Sequence, residues 1–193
     1  MFRQTRNLLV IATIICSTSV LAQTWTTRQL NIANTARNIK YLTQAEKDAI
    51  MYINLARLYP FWFNVYELKN YEAVAKNSTY KTSLMYALFS LKPMHALYFD
   101  KELYEDAKCY AKESGDLGIT GHDRKICEKS NYSECCDYGN STGLGIAISW
   151  LIDQDVPSLG HRLCCLDHKN KKIGLSVHPH KTYGICAVAE FDE

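Results

Sequence analysis

Apolar positions recur with helical spacing in two stretches of the chain. In the first, Ala49, Ile50, Ile53 and Ala56 share one face. Thr43 stands before this run as an N-cap, Glu46 completes a capping box three residues on, and Pro60 ends the element. The polar Asn54 and Arg57 on that helix are expected to make structural hydrogen bonds to a neighbouring loop. The second stretch opens at Asp100, places Leu103, Ala107, Tyr110, Ala111 and Ser114 on a stripe, and closes at Gly115 and Gly118. A shorter helix is expected over Lys81 to Leu91, stopped by Pro93. Near the C-terminus the period changes to two. Ile185, Ala187, Ala189 and Phe191 alternate within a strand from Tyr183 to Phe191, and Ile173 to Val177 is its partner, with Pro179 in the hairpin loop.

Other segments read less clearly. Leu144 to Ile152 is apolar almost all round, so periodicity does not separate helix from strand. Asp153, Asp155, Pro157 and Ser158 form a turn, and Leu159 to Leu163 starts a short element. Residues 23–40 read as a loose polar arm, and residues 61–80 as an insertion or ligand-adjacent loop. Phe61, Trp62, Phe63, Tyr66, Tyr71 and Tyr80 in that segment are either core or an apolar contact surface. Gly121 to Gly143 reads as a long cysteine-rich loop, functional or disulfide-stapled. Helices that precede and interleave with strands give an α+β layered domain over residues 41–193.

Residues 1–22 carry Arg3 and Arg6, an apolar run from Leu8 to Cys16, and Val20-Leu21-Ala22 before Gln23. That is the layout of a secretory signal peptide, too short in its apolar run for the ~20 residues of a bilayer span. No other stretch reads as a transmembrane segment. Without the two leader arginines, the 22 Lys and Arg residues fall level with the 20 Asp and Glu residues. Composition therefore gives no support for a basic nucleic-acid-binding surface.

Secretion changes the meaning of the cysteines. Of the eight, Cys109, Cys127, Cys135, Cys136, Cys164, Cys165 and Cys186 lie beyond the leader. In an oxidising compartment they read as disulfide candidates, and the adjacent Cys-Cys pairs lack the gap of a zinc knuckle. At least two bridges are expected to tie the His122–Glu134 loop and the His161 segment to the sheet. Asn77, Asn131 and Asn140 stand in glycosylation sequons.

The candidate chemistry is a cleft of His122, Glu134 and His161, each beside a glycine or in a turn-like stretch. Two imidazoles and a carboxylate suit an open zinc or other divalent-cation site, with His122 and His161 as metal ligands, or a structural polar cluster. A Ser or Cys nucleophile, Ser158 or Cys127 beside one of these histidines, meets only the composition of such a site. His95, His168, His178 and His180 read as surface or loop residues, with His178-Pro179-His180 an opportunistic metal motif.

The ordered set of Ile53-Asn54-Leu55-Ala56-Arg57 with Pro60, Leu97-Tyr98-Phe99-Asp100, Gly121-His122, Glu134 to Gly139, Gly160-His161-Arg162 and Ile173-Gly174 resembles the CAP superfamily. Its members are the cysteine-rich secretory, antigen 5 and pathogenesis-related-1 proteins, and the match is to the bacterial-type SCP-like branch. The resemblance implies a three-layer α-β-α sandwich around a central antiparallel sheet. It also implies a cleft tetrad of two histidines and two acids that holds a divalent metal in some members. His122, Glu134 and His161 match; the fourth place falls to Asp153 or Asp155, and Asp155 is taken for it. Cys135 departs from the family's usual asparagine. The function implied is a secreted binding module for an apolar small molecule, such as a sterol or lipid, or for an extracellular protein partner. The alternative is a metal-dependent extracellular hydrolase using His122, Glu134 and His161.

Overall fold

The computed structural model describes residues 24–69, 71, 78–129 and 131–193. The expected signal peptide and Asn77 lie outside the described residues. The elements are α1 (Thr27–Ala33), α2 (Gln44–Leu58), α3 (Pro60–Phe63), a π-helical turn (Asn64–Leu68), α4 (Thr79–Ser90), β1 (Tyr98–Phe99), α5 (Lys101–Leu117), β2 (Ser133–Tyr138), α6 (Gly143–Ile152), α7 (Gly160–Leu166), β3 (Lys172–His180) and β4 (Gly184–Asp192).

Helix α2 starts where its capping box places it. Thr43 N–H donates to Glu46 Oε2 at 2.6 Å, and Glu46 N–H donates to Thr43 Oγ1 at 3.3 Å. Glu46 does more than cap, since its Oε1 accepts from Val177 N–H at 2.9 Å and ties α2 to β3. Asn54 bonds Leu97 through both side-chain atoms and also donates to Ala33 O. The fully buried Arg57 donates to the carbonyls of His95, Cys165, Asp167 and Asn170. One guanidinium thereby gathers the chain before β1 and the chain between α7 and β3.

The sheet order is β1-β3-β4-β2. β4 pairs antiparallel with β3 on one side and β2 on the other, and the two-residue β1 runs parallel to β3 at one margin. Alternation assigns the faces. Cys135, Leu175, Ala187, Ala189 and Phe191 point into the main core with α2 and α6, whereas Cys136, Cys186 and Val188 pack against Ala107, Tyr110 and Ala111 of α5. The result is three layers, with α5 alone on one face. That helix sits directly on β3, because a side-chain methyl at Gly174 would overlap the backbone of Leu103 and Tyr104.

Several segments depart from the expectations. The polar arm contains α1, and its buried Ala33 and Ala36 pack into the main core, with Trp25 Nε1 donating to Glu67 at 2.6 Å. The long loop contains β2, and the apolar 144–152 segment is helical. β3 is longer than its alternation suggested, with Pro179 inside it and the turn falling after His180, whereas β4 keeps the expected length one residue further on. The aromatic segment divides: Phe63 is buried, while Phe61 and Trp62 are exposed beside Phe89.

The expectation of two bridges at the site is corrected. Among the described residues a single disulfide joins Cys109 to Cys127, and Cys135, Cys136, Cys164, Cys165 and Cys186 are free thiols. Cys135 and Cys136 point to opposite faces of β2, so Cys135 meets Cys164 and Cys165 in the main core while Cys136 faces the α5 layer.

Candidate functional site

β2 forms the outer margin of the sheet, and the site straddles it. One half comes from the α5 layer. After α5 the chain turns back through Gly121, whose carbonyl accepts from Tyr110 Oη at 2.8 Å. The Cys109–Cys127 bridge then pins the segment to the helix, and Glu113 accepts from the backbone N–H groups of Lys125, Ile126 and Cys127. Held in this way, His122 places Nδ1 2.6 Å from Oε1 of Glu134 on β2.

The other half comes from the opposite layer. Asp153 ends α6 in a left-handed conformation (φ 55°), which turns its carboxylate toward the start of α7. Its Oδ2 accepts from the N–H groups of His161 and Arg162, at 2.9 and 3.3 Å, and its Oδ1 meets His161 Nδ1 at 2.8 Å. Asp155 points elsewhere and accepts from Gln154 at 2.8 Å. The acid bonded to His161 is therefore Asp153 and not Asp155. Arg162 serves the scaffold, donating to the carbonyls of Leu151, Ile152 and Tyr80.

The two imidazoles meet across the margin with ring centroids 6.1 Å apart. They share a cleft of about 420 Å³ that is also lined by Glu134, Ser158, Leu163 and Cys164. Each histidine keeps Nδ1 on a carboxylate, and neither Nε2 is bonded to protein among the described residues.

Beneath Glu134 lies a buried charge cluster that sequence reasoning missed. The side chain of Arg124, 4% exposed, makes a two-point pair with Asp106 at 2.9 Å and 2.9 Å. It also reaches Glu134 Oε2 at 2.6 Å and Glu190 Oε1 at 2.5 Å, and lies over the Tyr110 ring at 5.0 Å. Burial pushes the Glu190 carboxyl up to about 10, aided by the neighbouring Glu134. Burial also acts to raise Glu134, but hydrogen bonds from His122, Glu190 and Arg124 outweigh it and hold this group at about 2. His122 is raised in turn, chiefly by its bond to Glu134 and against the effect of its own burial. The readable signal for Glu190 was a carboxylate among Ala187, Ala189 and Phe191 in an otherwise apolar strand.

Other candidates lie outside this arrangement. Cys127 is consumed by its disulfide, which removes it as a nucleophile, and Ser158 lines the cleft without bonding either histidine. His180 is buried: its Nδ1 accepts from Thr182 and Tyr183 N–H, which leaves Nε2–H for Ile119 O at 3.0 Å. His178 Nδ1 bonds Pro179 O, so the His178-Pro179-His180 motif is committed to the turn.

The family described as cysteine-rich secretory proteins, CAP, matches residues 30–191. Among solved structures, the chain is similar to an outer surface protein from Borrelia burgdorferi. The identity is 20%, over 51% of this chain and 77% of that one, with a TM-score of 0.41. It is also similar to hookworm platelet inhibitor, at 15% identity over 52% of this chain and 56% of that one, with a TM-score of 0.38. No curated protein sequence matches.

Proposed function

The chain belongs to the CAP family of cysteine-rich secretory proteins, and from that premise we propose that it is a secreted binding module that receives its ligand in the cleft over β2. The carrying observation is the state of Glu134. A general base needs a free oxygen in reach of the proton it takes, whereas Glu134 has Oε1 on His122 and Oε2 on Arg124, each at 2.6 Å. The cleft thus offers fixed hydrogen-bonding groups and no carboxylate poised for proton transfer. The family's divalent cation fits these residues as far as donors go. With each Nδ1 on a carboxylate, the Nε2 atoms of His122 and His161 keep their lone pairs for it.

An apolar ligand or partner has a second foothold. Phe61, Trp62 and Phe89 are 46%, 37% and 57% exposed, with Phe61 centred 5.0 Å from Trp62 and 5.7 Å from Phe89. Exposed aromatics grouped in this way suit a sterol, an acyl chain or an apolar protein surface. The Cys109–Cys127 bridge agrees with an oxidising, extracellular setting, and no described helix is long and apolar enough to cross a membrane.

The test pairs binding with turnover. Titration with a fluorescent sterol and with phosphatidylcholine vesicles is expected to give saturable binding that Trp62→Ala or Phe61→Ala weakens. Ester, peptide and glycan substrates supplied with zinc are expected to remain intact. Metal-dependent hydrolysis lost in both His122→Ala and His161→Ala would replace the binding reading with the hydrolase one.

A further inference from the structure

Cys136 stands beside the site without a role in either histidine–acid pair. It follows Glu134 by two residues on β2, so its side chain leaves the strand on the same face, toward His122. Its Sγ lies 3.8 Å from His122 Nδ1 and 3.7 Å from Glu134 Oε1, and those two atoms are 2.6 Å apart. We propose that His122 Nδ1, Glu134 Oε1 and Cys136 Sγ together form a site for a zinc-class divalent cation. The inference deepens the cleft reading by making Cys136, not His161, the partner of His122 in holding metal.

Geometry comes first. The point equidistant from the three atoms lies about 2.0 Å from each, against the ~2.0–2.1 Å that zinc requires to N or O and ~2.3 Å to S. A small opening of the His122–Glu134 contact admits the ion. Arg124 holds the other oxygen of Glu134, Oε2, which fixes the carboxylate and leaves Oε1 for the metal.

Donor chemistry comes second. The two Nε2 atoms are a pair of neutral donors, whereas this side supplies imidazole, thiolate and a carboxylate whose charge is shared with Arg124. The proton balance is definite. Cys136 gives up its thiol proton to solvent, and the neutral His122 ring moves its proton from Nδ1 to Nε2, so that Nδ1 donates its lone pair. Access comes third. Cys136 is 8% exposed, but the His122 side chain is 54% exposed and borders an opening of about 280 Å³ with Lys129 and Tyr132. The ion therefore has an entry path and an open fourth position.

Cobalt(II) titration of the full-length protein, with its free thiols kept reduced, tests this directly. One equivalent of bound cobalt is expected to give a thiolate-to-metal charge-transfer band. Cys136→Ser is expected to lose the band and to weaken binding by at least ~10–100-fold, the range seen when even an outer-shell partner is removed. His122→Asn is expected to weaken binding similarly, while His161→Ala keeps the band. Near-UV circular dichroism checks that each variant is folded. Absence of binding, binding without the band, or a band that survives in folded Cys136→Ser would overturn the proposal. Binding that needs His161 but not Cys136 would return the metal to the two-imidazole arrangement and leave the cleft reading standing.

Discussion

Glu134 and Glu190 face each other directly across the β2–β4 register, and one nitrogen of Arg124 reaches both. Like charges in that relation repel. The pair answers that conflict with opposite shifts, Glu190 raised by burial and Glu134 lowered by its hydrogen bonds and the guanidinium. Removing the arginine leaves a buried carboxylate without its cation. Arg124→Met is therefore expected to cost about 3–5 kcal/mol in urea unfolding. Arg124→Lys is expected to recover only part of that, because an ammonium cannot reproduce the two-point pair with Asp106. A loss below ~1 kcal/mol would show that the cluster is not structural.

Glu190 gives a second prediction with a definite sign. Its folded value is raised, so its stabilising contribution is complete below the ordinary carboxylate range and is lost as pH rises toward about 10. Across that window the group erodes stability by up to ~1.4 kcal/mol per pH unit. Glu190→Gln keeps a neutral side chain there, and its unfolding free energy is expected to fall less than wild type between pH 6 and pH 9. Parallel curves for the two proteins would refute the upward shift of Glu190.

For His122 the shift is upward and Glu134 is its main cause. Histidine side-chain NMR of the metal-free protein should show His122 titrating above a free imidazole. Glu134→Gln should move it downward. The stabilising part of the pair is present below the unfolded histidine value and is lost as pH rises through the folded one. Glu134, whose value is depressed, behaves oppositely, and its contribution disappears as pH falls toward about 2.

The disulfide supplies a further check. Cys109→Ser with Cys127→Ser opens a bridge between residues 18 apart, an expected loss of about 2–4 kcal/mol. Because that bridge pins the chain carrying His122, the His122 resonances should broaden or shift in the variant while those of His161 stay in place. Equal disturbance of both histidines would mean that the two halves of the cleft are not held independently.

Much of the scaffold was legible because its signals are local. The capping box at Thr43 and Glu46, and the stripe from Leu103 to Ser114, are patterns of period and offset within one element. β2 was hidden because it is packed on both faces and carries Glu134 and Asp137, so no clean alternation survives. α1 was hidden because its buried contribution is small, with Ala33 as its one fully enclosed residue. At the site, His122, Glu134 and His161 could be picked out by their flanking residues. Asp153 and Asp155 are two apart, and only the left-handed turn at the end of α6 decides between them. Glu190 and Asp106 join Arg124 through contacts spanning 66 and 18 positions, which no local window contains.

The width of the cleft is set at a place remote from it in sequence. His122 hangs from the α5 layer and His161 from the layer on the other side of the sheet, so the gap between the imidazoles measures how closely the layers sit. Two glycines permit that closeness: the backbone of Leu103 and Tyr104 fills the space a side chain at Gly174 would need, and Pro179 O fills it at Gly115. One added methyl at either would lift α5 like a shim under a hinge and swing His122 away from its counterpart. Two glycines that touch neither histidine thus set how closely α5, the helix from which the His122 segment departs, lies on the sheet.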